Sequence, residues 1–253
     1  VLCDFFSKKL IKKLPKKFDF IISQNSFAHN PNPIKFLENA KILMHDNSSL
    51  VIQTSQADMC KNYEFDTIYH EHINFFNVRS MMNLLNRANL NLHNVIKDPI
   101  HGSSYLFVIK KIPKQKKNIS LLKKEKFLNF KYYIKWGNNC KKSVISIKKK
   151  FSKISKNNTI IGYGAAAKAN TFLNYSKIKF DFIIDDNKLK QNKFCPGNKT
   201  PIKPISFLSS YKENIYIVPL AWNFFREIKR RVLNARKKNK DKFVLFYPKF
   251  KIY

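Results

Sequence analysis

The stretch from Thr159 to Asp186 narrows the choice of fold more than any other. Thr159-Ile160-Ile161 reads as a strand, Gly162-Tyr163-Gly164-Ala165-Ala166-Ala167 as a tight turn, and Lys168 to Tyr175 as a helix. Phe180-Asp181-Phe182-Ile183-Ile184 then reads as a second strand, ending in Asp185-Asp186. Such a βαβ unit pairs its strands in parallel and covers one face of the sheet with the helix, which commits this region to an α/β fold. The turn approximates G-x-G-x-x-A with an acidic residue about 20 positions on, a pattern in which glycines admit a phosphate and the helix start supplies N–H donors. Gly162, Gly164, Ala165, Lys168 and Asn170 are therefore candidate ligand-binding residues. The plainer alternative is a tight βα turn with no ligand. Later strands at Ile215 to Pro219 and Phe243 to Phe246 flank a helix from about Trp222 to Lys237, completing a second α/β domain.

The first part of the chain repeats the logic. Apolar spacing over 4–14 suggests a helix closed by Pro15. Phe18-Asp19-Phe20-Ile21-Ile22 is a short apolar run of the buried parallel-strand kind, residues 34–44 carry a broad apolar helical stripe, and Leu50 to Thr54 is the next strand. Residues at the carboxyl ends of such strands line the ligand crevice, which selects Asn25, His29 and the loop from Thr54 to Tyr69. A helix over 78–89 precedes strands Leu92 to Ile96 and Tyr105 to Ile109, an antiparallel pair turned at Pro99-Ile100-His101-Gly102. Lys111 to Lys156 reads as a Lys-rich helical connector, with Phe127 among its apolar positions. The expected division is 1–112, a partial α/β domain, 113–157, the connector, and 158–253, a Rossmann-like domain.

Between the two α/β regions lies Tyr69-His70-Glu71-His72, a phenol, two imidazoles and a carboxylate framed by Phe65, Ile68, Ile73, Phe75 and Phe76. An imidazole that titrates near neutrality, beside a carboxylate, suits general acid/base work. Glu71 would orient the His72 ring or itself carry charge. The alternative is half-buried packing for Tyr69 and His70, with Glu71 a solvated surface charge.

The balance of 49 Lys+Arg against 16 Asp+Glu, net +33, would ordinarily raise nucleic acid as a partner. Yet six of the 49 are Arg, the residue favoured for bidentate phosphate readout. The Lys excess travels with Asn, Ile and Phe, which share A/T-rich codons, so base composition explains it and no nucleic-acid partner is expected. Cys3, Cys60, Cys140 and Cys195 are isolated, which offers neither a metal site nor a disulfide framework and fits a reducing cytoplasm. No apolar run approaches a membrane span, and the start has no export-signal pattern.

Taken together, Asn25-Ser26-Phe27-Ala28-His29, Tyr69 to Phe76 and Gly162 to Thr171 resemble the S-adenosylmethionine-dependent C-methyltransferases of deoxysugar biosynthesis, with Pro196-Gly197 and Thr200-Pro201-Ile202 fitting the C-terminal domain of that family. The similarity runs from about residue 4 to 250 and implies that 1–112 is part of a methyltransferase domain that carries the catalytic loop. It implies methylation at C-3 of a nucleotide-linked 4-keto-sugar through an enolate. His72 would be the base, Tyr69 the group stabilising the enolate or bonding the sugar, Glu71 an orienting group and His29 a pocket residue. Asn25 would touch S-adenosylmethionine, and Gly162, Gly164, Ala165, Lys168 and Asn170 would hold the nucleotide-sugar. The family also has an N-terminal zinc module and a glycine-rich S-adenosylmethionine loop, both missing from this sequence, so the chain as it stands is expected to bind the cofactor poorly. Two rival readings are a non-catalytic nucleotide-sugar binding module and, prompted by Gly162, Gly164 and Asp185, an NAD-dependent oxidoreductase. The sequence leaves the sugar, the nucleotide and the oligomeric state open.

Overall fold

The computed structural model describes residues 1–15, 17–55, 57–99, 103–113, 121–122, 125, 128–237, 239–247 and 249–253. The turn expected at 99–102 falls mostly outside the described residues, as does Phe127. Two compact units emerge: one holds 1–58 and 70–129, the other 59–69 and 130–253.

In the first unit a short helix α1 (Lys8–Ile11) is capped by Ser7, whose hydroxyl accepts from the Leu10 N–H. It is much shorter than the expected 4–14 element, and its buried residues are Leu10 and Ile11. Strand β1 (Phe18–Gln24) leads to helix α2 (Pro33–Ile42), which starts where Asn32 caps the Lys35 N–H and Pro33 fills the first position. Strand β2 (Met44–Thr54) runs parallel to β1. Met44, expected at the end of the helix, begins this strand: it pairs with Phe18, and the register then jumps to Phe20 opposite Ser49. The residues between form a bulge closed by the Ser48 hydroxyl, which donates to the Phe18 carbonyl. Helix α3 (Val78–Arg87) opens on a reciprocal Asn77–Ser80 capping box. Strands β3 (Asn91–Asp98) and β4 (Ser104–Lys110) pair antiparallel, giving the order β1-β2-β4-β3. Phe27, Leu37, Met44, Leu50, Ile52, Met81, Leu85 and Phe107 form the core of this unit.

The second unit is built on a six-stranded sheet. Helix α4 (Phe130–Ser155) places Cys140, Val144 and Ile147 on its buried side, and Val144 and Ile147 join the core. The stretch expected as a connector thus contributes a long packed helix. Strand β5 (Ile160–Tyr163), helix α5 (Ala167–Ser176), β6 (Ile183–Ile184), β7 (Ile202–Lys203), β8 (Tyr216–Pro219), helix α6 (Phe225–Ala235), β9 (Lys242–Leu245) and β10 (Lys251–Ile252) follow. Their order is β10-β9-β8-β5-β6-β7, all parallel save β10. Chain direction across the sheet reverses between β5 and β8, so the switch point lies at their carboxyl ends, Tyr163-Gly164 and Pro219-Leu220. Arg236, closing α6, is buried and fully engaged: its guanidinium forks onto Asp241 and reaches the carbonyls of Leu208, Tyr211 and Glu213.

Candidate active site

A single turn of 3-10 helix, Phe27–His29, anchors the loop that carries His72 in the first unit. Phe27 is fully buried against Phe36 and Phe76. That packing fixes the Ala28 carbonyl, which accepts from the N–H groups of both Ile73 and Asn74 at 3.1 and 3.0 Å. Asn74 adds a bond from its side-chain amide to the Asn30 carbonyl, 2.7 Å. The loop is thereby stitched to His29, whose Nδ1 lies 2.8 Å from the Glu71 carbonyl oxygen. A carbonyl only accepts, so Nδ1 carries the hydrogen and the neutral ring keeps its lone pair on Nε2. The His29 and His72 rings then meet at 4.9 Å between centroids, and Phe75 stands edge-on to His72 at 6.2 Å. Glu71 contributes here through its backbone. Its carboxylate sits 3.8 Å from His70 Nε2, and both of those side chains are exposed. Tyr69 and His72 are half-buried.

At the carboxyl ends of β1 and β2 two oxygens point into protein with no hydrogen-bond partner among the described residues, Asn25 Oδ1 and Thr54 Oγ1. The register sets Gln24 opposite Gln53, so Asn25 and Thr54 share one sheet edge. Asn25 takes a left-handed conformation, φ 48°, which asparagine tolerates better than most residues. Unpaired buried oxygens of this kind cost about 1–3 kcal/mol each unless a ligand or solvent meets them. Both oxygens can accept a hydrogen bond, and the Thr54 hydroxyl can also donate one, at the strand ends where α/β sheets bind ligands.

In the second unit the glycine turn is tight for internal reasons. Gly164 has φ 98°, and a Cβ there would stand 3.0 Å from the Ala221 Cβ; at Gly162 it would stand 2.8 Å from Ile183 Cγ1. The N–H groups of Gly162, Gly164 and Ala165 are committed to Phe182 O, Ile184 O and Asp185 Oδ2, the last at 2.7 Å. Asp185 Oδ1 takes the Asn187 N–H, and Lys190 bridges Asp185 and the Ala165 carbonyl. Beside the turn a small cavity of about 140 Å3 is lined by Asp185, Asp186 and Glu227 against a lone Arg231. Asp186 is bound by the Tyr163 hydroxyl and by Arg231, and burial followed by the Asp186 bond raises the Tyr163 phenol above its usual range. A phosphate charge roughly 6 Å from each carboxylate would lose about 3 kcal/mol per pair at an effective dielectric near 20. What the stretch retains for an anion is the start of α5, where Ala166 occupies the cap position without a side-chain acceptor.

Lys168 is also drawn inward. Its ammonium pairs with Glu64 at 3.2 Å and lies 5.0 Å from the Trp222 ring centre. Asn170 donates to the Ala166 carbonyl, while its Oδ1 is buried and unpaired. Around Lys168 gathers a group that sequence reasoning left unnamed: Glu64 and Asp66, both buried, with Trp222 and Tyr247. Desolvation lifts Asp66 to about 6; Lys168 opposes the rise and Glu64 adds to it. Burial first, and then the charge of Asp66, raises the Tyr247 phenol. The alternation Tyr63-Glu64-Phe65-Asp66 gave no signal of this, since Asp and Glu are almost never fully buried unless paired and read as a solvated face.

Among the described residues no group of three or more His, Cys, Asp or Glu side chains is arranged for a metal ion, and no helix is long and apolar enough to cross a membrane. All four cysteines are free thiols.

Residues 99–248 match the family model of the C-methyltransferase C-terminal domain, and residues 4–95 match that of a methyltransferase domain. The chain is similar to C-methyltransferase NovU of Streptomyces niveus, 23% identical over 222 residues, which is 82% of this chain and 52% of that protein. It thus spans about half the length of that curated relative.

Proposed function

The chain belongs to the C-methyltransferase C-terminal domain family, and on that premise we propose that it serves S-adenosylmethionine-dependent methylation of a carbon in a nucleotide-linked keto-sugar. When bound, S-adenosylmethionine supplies an electrophilic methyl group on a cationic sulfur. Asn25 and Thr54, with their unpaired buried oxygens, are the residues of this chain proposed to hold it. The acceptor carbon must first become nucleophilic. His72 removes the proton alpha to the ketone, and the C–H electron pair moves into an enolate whose carbon is the nucleophile toward the methyl group that the bound cofactor would supply. Tyr69, three residues before His72 in the chain, is the proposed donor to the developing oxyanion. His29 steadies the His72 ring and offers Nε2 as a second acceptor; Glu71 fixes His29 through its carbonyl.

The observation that carries this reading is the meeting of His29 and His72, two residues 43 positions apart that the Ala28 and Glu71 carbonyls hold ring to ring. In the complete gene product, His72→Ala is expected to lower kcat for methyl transfer to a thymidine-diphosphate 4-keto-sugar by roughly 10²-fold or more, with KM little changed. Near-normal turnover would remove His72 as the base. Binding of the sugar nucleotide with no turnover in the wild type would favour the non-catalytic binding module. The NAD-dependent reading draws less support, because both oxygens of Asp185 are occupied by backbone N–H groups where a ribose hydroxyl would have to bind. The free thiols fit the proposed reducing, cytoplasmic setting.

A further inference from the structure

A cavity without carboxylates among its described lining lies in the second unit, away from the glycine turn. One stripe of α4, positions 139, 142, 143, 146, 147 and 150 at three- and four-residue steps, faces the segment after β9 across a cavity of about 570 Å3. This is within the roughly 300–1,000 Å3 usual for small-molecule sites. Its polar lining includes Lys142, Lys150, Lys249, Ser143 and Ser146, with no carboxylate. The contrast with the cavity beside Gly164, walled by three carboxylates, is one of sign. Lys150 is not left to sweep solvent, because its ammonium rests 4.9 Å from the centre of the Phe250 ring, which stacks on Phe246. Tyr63 completes the wall from a left-handed backbone, φ 57°, which a bulky aromatic residue seldom adopts; the Cys140 thiol holds its carbonyl at 3.8 Å.

We propose that this cavity is a binding site for the diphosphate group of a nucleoside diphosphate, held by Lys142, Lys150 and Lys249 and by the two serine hydroxyls, with the aromatic floor taking the attached nucleoside. The identity of that ligand as part of the substrate rests on the nucleotide-sugar reading above; the anion site itself does not.

Calorimetric titration of the complete gene product with inorganic pyrophosphate and with thymidine diphosphate tests it. Both are expected to bind, thymidine diphosphate more tightly. The pair Lys142→Gln and Lys150→Gln should weaken both by about tenfold or more. The pair Lys141→Gln and Lys148→Gln removes the same charge from the opposite face of α4, about 180° around the helix, and should change binding less than threefold. Equal losses in the two double variants would reduce the effect to the general positive charge and overturn the proposal, as would failure of both probes to bind. Pyrophosphate binding equal to that of thymidine diphosphate would overturn the nucleoside part. Binding as expected in a protein that transfers no methyl group would leave this site standing and sink the methyltransferase reading instead.

Discussion

At the scale of single residues, Asp66 carries the sharpest consequence. Its folded-state pKa, about 6, stands above the ordinary 3.8 because burial penalises the charge more than Lys168 relieves it. A raised carboxyl binds its proton more firmly in the folded state, so its stabilising contribution is complete below about pH 4 and is lost as pH climbs to about 6. Above that the charged group is carried at a cost. Asp66→Asn should match the wild type in urea unfolding near pH 4, then become relatively more stable by about 1–3 kcal/mol at pH 7. A stability difference that stays flat across that interval would refute the assignment. None of this was legible in the sequence. The pairing of Lys168 with Glu64 joins residues 104 positions apart, and only the fold reveals that a lysine suited to a phosphate faces a carboxylate instead.

At the scale of elements, the glycine turn shows how far a motif carries. Its secondary structure was legible, because a buried parallel strand is a continuous apolar run and a left-handed step calls for glycine. Its chemistry was not, since the donors a phosphate would use are consumed by Ile184 and Asp185. The physical reason for Gly164 is conformation and the 3.0 Å approach to Ala221, so Gly164→Ala should cost about 1–3 kcal/mol in urea unfolding even without ligand. A change under about 0.5 kcal/mol would return the glycine to a ligand-binding role. Other elements escaped for plain reasons. Strands β7 and β10 are two residues each, too short for any period to register. The bulge that begins β2 at Met44 depends on a Ser48 bond to a strand 30 positions away, while Leu43 and Met44 continue the helical apolar stripe by composition alone. The α1 expectation overran because apolar spacing carried it past Ser7, whose hydroxyl caps the Leu10 N–H and sets where the helix starts.

At the scale of the whole molecule, the α/β class and the two segments that carry His29 and His72 could be read from the sequence, whereas the meeting of those segments could not. Asn25, His29 and the loop to His72 were each selected by strand-end position or residue chemistry; that His29 and His72 sit ring to ring is a tertiary fact. In the proposed mechanism this assembly abstracts a proton from the acceptor carbon before any methyl group moves. Incubating the complete gene product with a thymidine-diphosphate 4-keto-sugar in deuterium oxide, without S-adenosylmethionine, isolates that step, because enolate formation alone exchanges the alpha proton for deuterium. The account predicts exchange at the carbon to be methylated in the wild type and a loss of roughly 10²-fold in His72→Ala. Exchange at the wild-type rate in His72→Ala, or methyl transfer by a wild type that shows no exchange, would contradict it.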